Sequence, residues 1–153
     1  MTPMLLDGVN HVATLTNDTD RLHRFYVSMF DATVSHDGVV SAGTRLSFVD
    51  IGPQTQLNVF EVAGNDEAAR QTPMFGRGRL DHLGLQAASL EAFHTIRDRL
   101  MAAGATDGFV TDFGPVLSVF FRDPDGLEGE VCVDNPAAEP GVFHSPGTPA
   151  PGF

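Results

Sequence analysis

Apolar positions along the chain alternate in some stretches and recur at helical spacing in others. GVNHVATL, residues 8–15, is short, β-branched and apolar, which predicts a strand. Asn17, Asp18, Thr19 and Asp20 then offer N-caps, and Leu22, Phe25, Tyr26, Met29 and Phe30 form one helical stripe. Strand-like pieces follow at 32–40, 45–50 and 56–62, punctuated by Gly43 and by Gly52-Pro53. Residues 64–79 are polar, with many Gly, Arg and Gln, and read as a linker or flexible loop. The pattern then restarts. A strand is predicted over 79–86. Ser89 caps a helix whose stripe is Leu90, Phe93, Ile96, Leu100 and Met101, and Gly104 closes it. Strands are predicted again at 108–111, 116–121 and 128–133, the last two joined by the tight turn Asp123-Pro124-Asp125-Gly126. From residue 135 onward the chain is rich in Pro, Ala and Gly without periodicity, the composition of an extended or disordered tail.

The order strand, helix, three strands thus occurs twice. It predicts an α+β chain of two βαβββ modules, each a curled mixed sheet, enclosing a groove. The modules span 1–63 and 80–134, with a linker at 64–79 and the tail at 135–153. His82 follows His11 by 71 residues, and the same register sets His94 over His23. The two copies share little identity, so the repeat rests on pattern and on these histidines.

Composition narrows the function. The chain has 153 residues, 42% of them hydrophobic and 19% charged, enough apolar material for a core. The net charge is −11, which argues against a nucleic-acid or anionic membrane surface, because both need clustered cations. No apolar run approaches the length of a membrane span, and the first residues lack a signal-peptide pattern. Cys132 is the single cysteine, so neither an intrachain disulfide nor a cysteine-based zinc cluster forms. A cytoplasmic enzyme or small-molecule binder is expected.

Strand alternation groups the candidate chemistry. Val9, His11, Ala13 and Leu15 share a face, as do Leu80, His82, Gly84 and Gln86. Leu57, Val59 and Glu61 share a face, and so do Glu128, Glu130 and Cys132. Each copy therefore begins with a histidine and ends with a glutamate, both expected off the helix-packed face. Glu61 follows His11 by 50 residues and Glu130 follows His82 by 48. A lone strand histidine is usually structural; the signal here is the symmetry. Two such modules facing each other gather two imidazoles and two carboxylates, a donor set for zinc, nickel, iron or manganese. Alternation alone leaves Glu128 and Glu130 both open as the last ligand.

NHVATL, LDHLGL and FFRDPDGLEGEVCV, set in this βαβββ repeat, resemble the vicinal oxygen chelate superfamily over residues 7–134. That superfamily includes glyoxalase I, methylmalonyl-CoA epimerase, extradiol dioxygenases and fosfomycin and bleomycin resistance proteins. The DPDG turn with a glutamate four residues past its glycine favours Glu130 over Glu128. The resemblance implies the metal set His11, Glu61, His82 and Glu130. The chain departs from the pattern at Leu127, where asparagine is usual, and at Leu15, where glyoxalase I-like members often carry an arginine for glutathione. Asn65 fits a glutathione contact and equally fits a loop.

A divalent ion chelates two adjacent substrate oxygens and polarises one as a Lewis acid. With four protein ligands, Glu130 is expected to leave the metal and act as the base of a lyase or isomerase of glyoxalase type, through a metal-stabilised enediolate. An iron(II) extradiol dioxygenase would need only His11, His82 and Glu130, leaving Glu61 surplus. A metal-free, bleomycin-resistance-like binder would line its groove with some of the 12 Phe. A homodimer is expected in each case. His23, His36, His94, His144, Arg77 and Arg79 read as ordinary polar positions, and Cys132 has no identifiable base partner.

Overall fold

The expected elements form in the expected order. β1 (His11–Leu15) leads into α1 (Thr19–Phe30), followed by β2 (Thr33–Ser41), β3 (Thr44–Asp50) and β4 (Gln56–Val62). After a 3-10 turn at Glu67–Ala69 come β5 (Leu83–Gln86), α2 (Leu90–Ala102), β6 (Val110–Asp112), β7 (Val116–Arg122) and β8 (Glu128–Asp134). The structure, a computed structural model, describes residues 4–70 and 72–153.

The chain divides into two compact units, Met1–Arg70 and Gln71–Phe153, each built on one four-stranded sheet. The strand orders are β1-β4-β3-β2 and β5-β8-β7-β6. In each sheet the first strand runs parallel to the last, and the other neighbours are antiparallel. The fold is therefore α+β, a repeated βαβββ unit with a mixed sheet. β1, which carries His11, neighbours β4, and β8, which carries Glu130, neighbours β5; the strand expected over 79–86 starts only at Leu83, so His82 immediately precedes it.

Each helix is set by its cap and its stripe. Asp18 Oδ1 accepts from Arg21 N at 2.8 Å, and Ser89 Oγ accepts from Ala92 N at 3.0 Å. In the first unit Leu22 and Tyr26 are buried with Val49, Leu57 and Val59. In the second, Phe93 and Leu100 are buried with Leu117, Val119, Val131 and Val133, and α2 packs on β8. Each such side chain contributes about 1.5–3 kcal/mol on burial. Gly104, at φ +68°, lets the chain leave α2 in a conformation other residues avoid.

The tail is extended and bound. Asp112 N donates to Thr148 O at 2.8 Å, Ala150 N donates to Val110 O at 3.0 Å, and Thr111 bridges Pro149 in antiparallel fashion. The tail thus continues the second sheet past its β6 edge. Its last ring, Phe153, stacks on His94 at 4.8 Å and meets Phe93 edge-on at 5.8 Å. Among the described residues, no helix is long and apolar enough to cross a membrane.

Candidate functional site

In the second unit, β8 carries Glu130, and His82 immediately precedes β5, the strand beside it. Gly84 lies beside Glu130 in the parallel ladder, and His82, two residues earlier and just ahead of the strand, reaches the same glutamate. His82 Nε2 stands 3.2 Å from Glu130 Oε1. Its other nitrogen, Nδ1, is 2.6 Å from Asp81 Oδ2. A carboxylate has no hydrogen to give, so Nδ1 carries the proton and donates to Asp81. In the neutral ring Nε2 is then an acceptor facing a second acceptor, the Glu130 carboxylate. That arrangement calls for a proton or a cation between them. Asp81, and more weakly Glu130, accordingly raise the His82 pKa, against the opposing pull of partial burial. The imidazole in turn lowers the pKa of Asp81.

The remaining partners fix these two groups. Ser118 Oγ donates to Glu130 Oε2 at 2.5 Å, which leaves Oε1 toward the imidazole. Phe75 N donates to Asp81 Oδ1. The Phe120 ring packs edge-on to His82 with centroids 5.7 Å apart. Phe120 also lines a cavity of about 490 Å³, together with Met74, Thr106 and Arg122. Cys132 shares the Glu130 face of β8; burial, first, and Glu130, second, push its thiol up to about 11, which keeps it protonated and unreactive.

Glu128 is occupied elsewhere. It accepts from Arg77 Nη2 at 2.7 Å, Arg122 Nη2 at 2.8 Å and Met74 N at 2.8 Å. Arg77 is therefore half of a buried ion pair and does not belong to a solvated loop. Of the two glutamates, Glu130 stands beside His82 and Glu128 is bound by the arginines.

In the first unit His11 repeats the device. Its Nδ1 is 2.8 Å from Asn10 Oδ1, so the preceding residue again holds one ring nitrogen and leaves Nε2 available. Glu61, however, does not join it. β1 and β4 pair His11 with Gln56, which sets Glu61 five residues further along, about 16 Å at the rise of a strand. Register also reverses its face. Glu61 pairs Arg45, and Val59 pairs Ser47, on the side where His23 of α1 meets Ser47 at 2.8 Å. The expectation that Glu61 lies off the helix-packed face is thus corrected. Its Oε2 accepts from Thr19 N at 2.8 Å and Thr19 Oγ1 at 2.6 Å, so Glu61 caps α1.

The residue beside Ala13 in β4 is Asn58, just as Glu130 lies beside Gly84 in β8. Asn58 is therefore the positional counterpart of Glu130. It follows His11 by 47 residues, close to the 48 of the second copy. Sequence reasoning missed it by matching residue type before matching face. The signal was present, because Leu57 and Val59 mark the apolar face and Glu61 shares their parity.

The other histidines have local partners. His36 packs on Phe48, and His144 Nδ1 lies 3.2 Å from Asp112. Asn65 accepts from Glu67 N at 2.9 Å within its own loop. Asp20, His23 and Asp37 bring ligand atoms within 4.8 Å of one another, but the cation among them is the Arg45 guanidinium, 2.7 Å from each carboxylate.

The His82–Glu130 pair fits a divalent ion. Two donors bound about 2.1 Å from one ion at right angles stand about 3 Å apart, near the observed spacing. Asp81 on the far ring nitrogen is the partner that metal-bound histidines usually have.

Solved structures share this fold. A glyoxylase/bleomycin resistance protein/dioxygenase domain from Frankia sp. EAN1pec is 24% identical with a TM-score of 0.69, over 86% of this chain and 95% of that one. The fosfomycin resistance protein FosX from Listeria monocytogenes, complexed with Mn(II) and sulfate, is 16% identical with a TM-score of 0.62, over 86% and 95%. The oxidase ChaP-H2 is 21% identical with a TM-score of 0.63, over 88% and 98%. No curated protein matches the chain in sequence. A family model matches residues 8–131, and with it the repeated βαβββ architecture has its family: the chain belongs to the Glyoxalase/Bleomycin resistance protein/Dioxygenase superfamily.

Proposed function

We propose that this chain is a divalent-metal-dependent enzyme acting on a small molecule with two adjacent oxygens. His82 and Glu130 are two of its ligands, and His11 supplies a third. The observation that carries this reading is the opposed acceptor pair, Nε2 of His82 and Oε1 of Glu130 at 3.2 Å, with Nδ1 already committed to Asp81. Glu61 is left out of the set because it caps α1.

The loss of Glu61 changes the balance between chemistries. Glyoxalase-type proton transfer was expected because one carboxylate seemed spare. With Glu61 on the other face, Glu130 would have to hold the ion and move the proton alone. Ser118 anchors it at 2.5 Å. A set of two imidazoles and one carboxylate favours the alternative, in which open coordination positions receive both substrate oxygens, as in a dioxygenase or oxidase. A bound ion would there act as a Lewis acid and, for a redox-active metal, as an electron donor. The chain's own groups orient and enclose. Asp81 and Asn10 fix the two imidazoles, Phe120 walls one side of His82, and the cavity beyond it has room for the body of a substrate. The similarity to FosX with Mn(II) and to an oxidase supports this reading.

Elemental analysis of the purified chain tests it. The expected result is about one divalent ion per chain, lost in Glu130→Gln and His82→Ala and retained in Glu61→Gln. Oxygen uptake with iron(II) and a catechol then separates oxygen chemistry from isomerisation. A protein that takes up no ion yet protects against a drug would replace this reading with the binder.

A further inference from the structure

Within the second unit, two guanidiniums share one carboxylate beside the proposed ligands. In the β7–β8 ladder Phe120 pairs Glu130 and Arg122 pairs Glu128, so all four side chains leave the same face of the sheet. The two pairs stand about 7 Å apart at the rise of a strand. Glu128 is fully engaged. Its Oε2 accepts from Arg77 Nη2 and Met74 N, and its Oε1 accepts from Arg122 Nε at 3.2 Å and Nη2 at 2.8 Å. One negative charge thus serves two positive ones. The side chains of Arg77 and Glu128 are 12% and 11% exposed, that of Arg122 is 68% exposed. The surplus charge therefore falls on Arg122, whose Nη1 has no partner among the described residues. Arg122 and Phe120 line the same cavity of about 490 Å³, and Phe120 also packs on His82. The opposing charge on this wall is Asp107, whose Oδ1 accepts from Phe109 N at 2.9 Å. A guanidinium with free N–H groups beside an aromatic wall recognises a planar anion.

We propose that Arg122 is a specificity-determining residue that binds a carboxylate of the substrate. The preferred substrate then carries two adjacent oxygens at one end and an acid group at the other, with a body the size of one ring between them. This inference rests on the vicinal-oxygen reading above and adds to it a charged group on the ligand.

The test is a calorimetric titration of the Mn(II)-loaded full chain with 3,4-dihydroxybenzoate and with 3,4-dihydroxybenzamide, its neutral counterpart. Bound Mn(II) is measured separately by electron paramagnetic resonance. The wild type is expected to bind the acid about three- to tenfold more tightly than the amide, the strength of a charge-assisted bond at a partly exposed guanidinium. Arg122→Gln is expected to bring the two affinities level, with bound Mn(II) unchanged and Glu128 still held by Arg77 and Met74 N. Arg122→Lys keeps the charge and is expected to keep a preference for the acid. Should Arg122→Gln fail to fold, Asp107→Asn decides. It removes the opposing charge and keeps an acceptor for Phe109 N, so the acid is expected to bind about twofold more tightly and the amide as before. An acid affinity that it leaves unchanged then overturns the proposal. A wild type that binds both probes alike or prefers the amide also overturns it, and so does an acid preference that survives Arg122→Gln. If the wild-type chain binds no Mn(II), the metal reading fails by itself. The same comparison in EDTA then decides Arg122: an acid preference that Arg122→Gln abolishes upholds the inference, and the lack of one removes it.

Discussion

A histidine steadied by the residue just before it occurs in both units, and the partner differs in charge. Asn10 holds His11 with a neutral carboxamide; Asp81 holds His82 with a carboxylate. The charged partner makes the ring a better donor to a metal. Asp81→Asn is therefore expected to lower metal affinity about 10- to 100-fold while the fold persists, as read by metal titration and thermal melting. Glu61 predicts the opposite pattern. Glu61→Ala removes two hydrogen bonds at the start of α1 and is expected to cost about 1–2 kcal/mol of stability, with metal content unchanged. His23 makes a third case. Burial lowers its pKa from the usual 6.5, against the pull of Asp37. The unfolded chain then takes up the proton first as pH falls, so stability drops between about 6.5 and the lowered folded value. His23→Gln lacks that titration. Its melting temperature is expected to vary less than wild type between about pH 7 and pH 5.

At the scale of elements, most of the structure was legible. Two helices with capping residues and eight strands follow in the order that period and punctuation give, because the buried stripe and the pleat both leave sequence signatures, although β5 starts at Leu83 where a strand from 79 was expected. Alternation also sorted each strand into two faces correctly. What it did not give was which face of β4 meets α1, since that depends on register with β1 and β3, a property of pairs of strands. Glu61 was misplaced for this reason, and Asn58 was passed over. The tail was hard to read for a different reason. Its Pro- and Gly-rich composition has no period of its own, and its order comes from the β6 edge it covers. Gly114, at φ +97°, allows the contact, because a Cβ there would collide with the carbonyl of Val142. Removing residues 143–153 is expected to cost about 2–4 kcal/mol from lost backbone bonds and aromatic contacts. It also bares an edge strand that can template association. Chemical denaturation and light scattering check both effects. A truncated chain as stable and as dispersed as the full one would show that the tail only rests on β6.

At the scale of the whole molecule, duplication has let two similar units diverge in two positions that set charge beside their histidines, Asn10 against Asp81 and Asn58 against Glu130. The second unit keeps an imidazole beside a carboxylate; the first keeps the imidazole and has a carboxamide. The chain as a whole is strongly acidic, at −11, but its acidic residues near these histidines are already assigned: Asp81 to His82, Glu128 to Arg77 and Arg122, Glu61 to α1. Among these described residues, Glu130 faces an imidazole acceptor with no compensating cation, so a metal effect on global stability should depend on it. A ligand that binds only the folded state stabilises it by about 2.7 kcal/mol when present at a hundred times its Kd. For a chain of this size that is a rise of about 5–10 °C in Tm. Saturating Mn(II) or Zn(II) is expected to produce such a rise in wild type and in Glu61→Gln, and to produce almost none in Glu130→Gln. EDTA should return wild type to the baseline of the Glu130→Gln chain. A rise that survives Glu130→Gln but disappears in Glu61→Gln would move the ion to the α1 end of the first sheet, and the proposed ligand set with it.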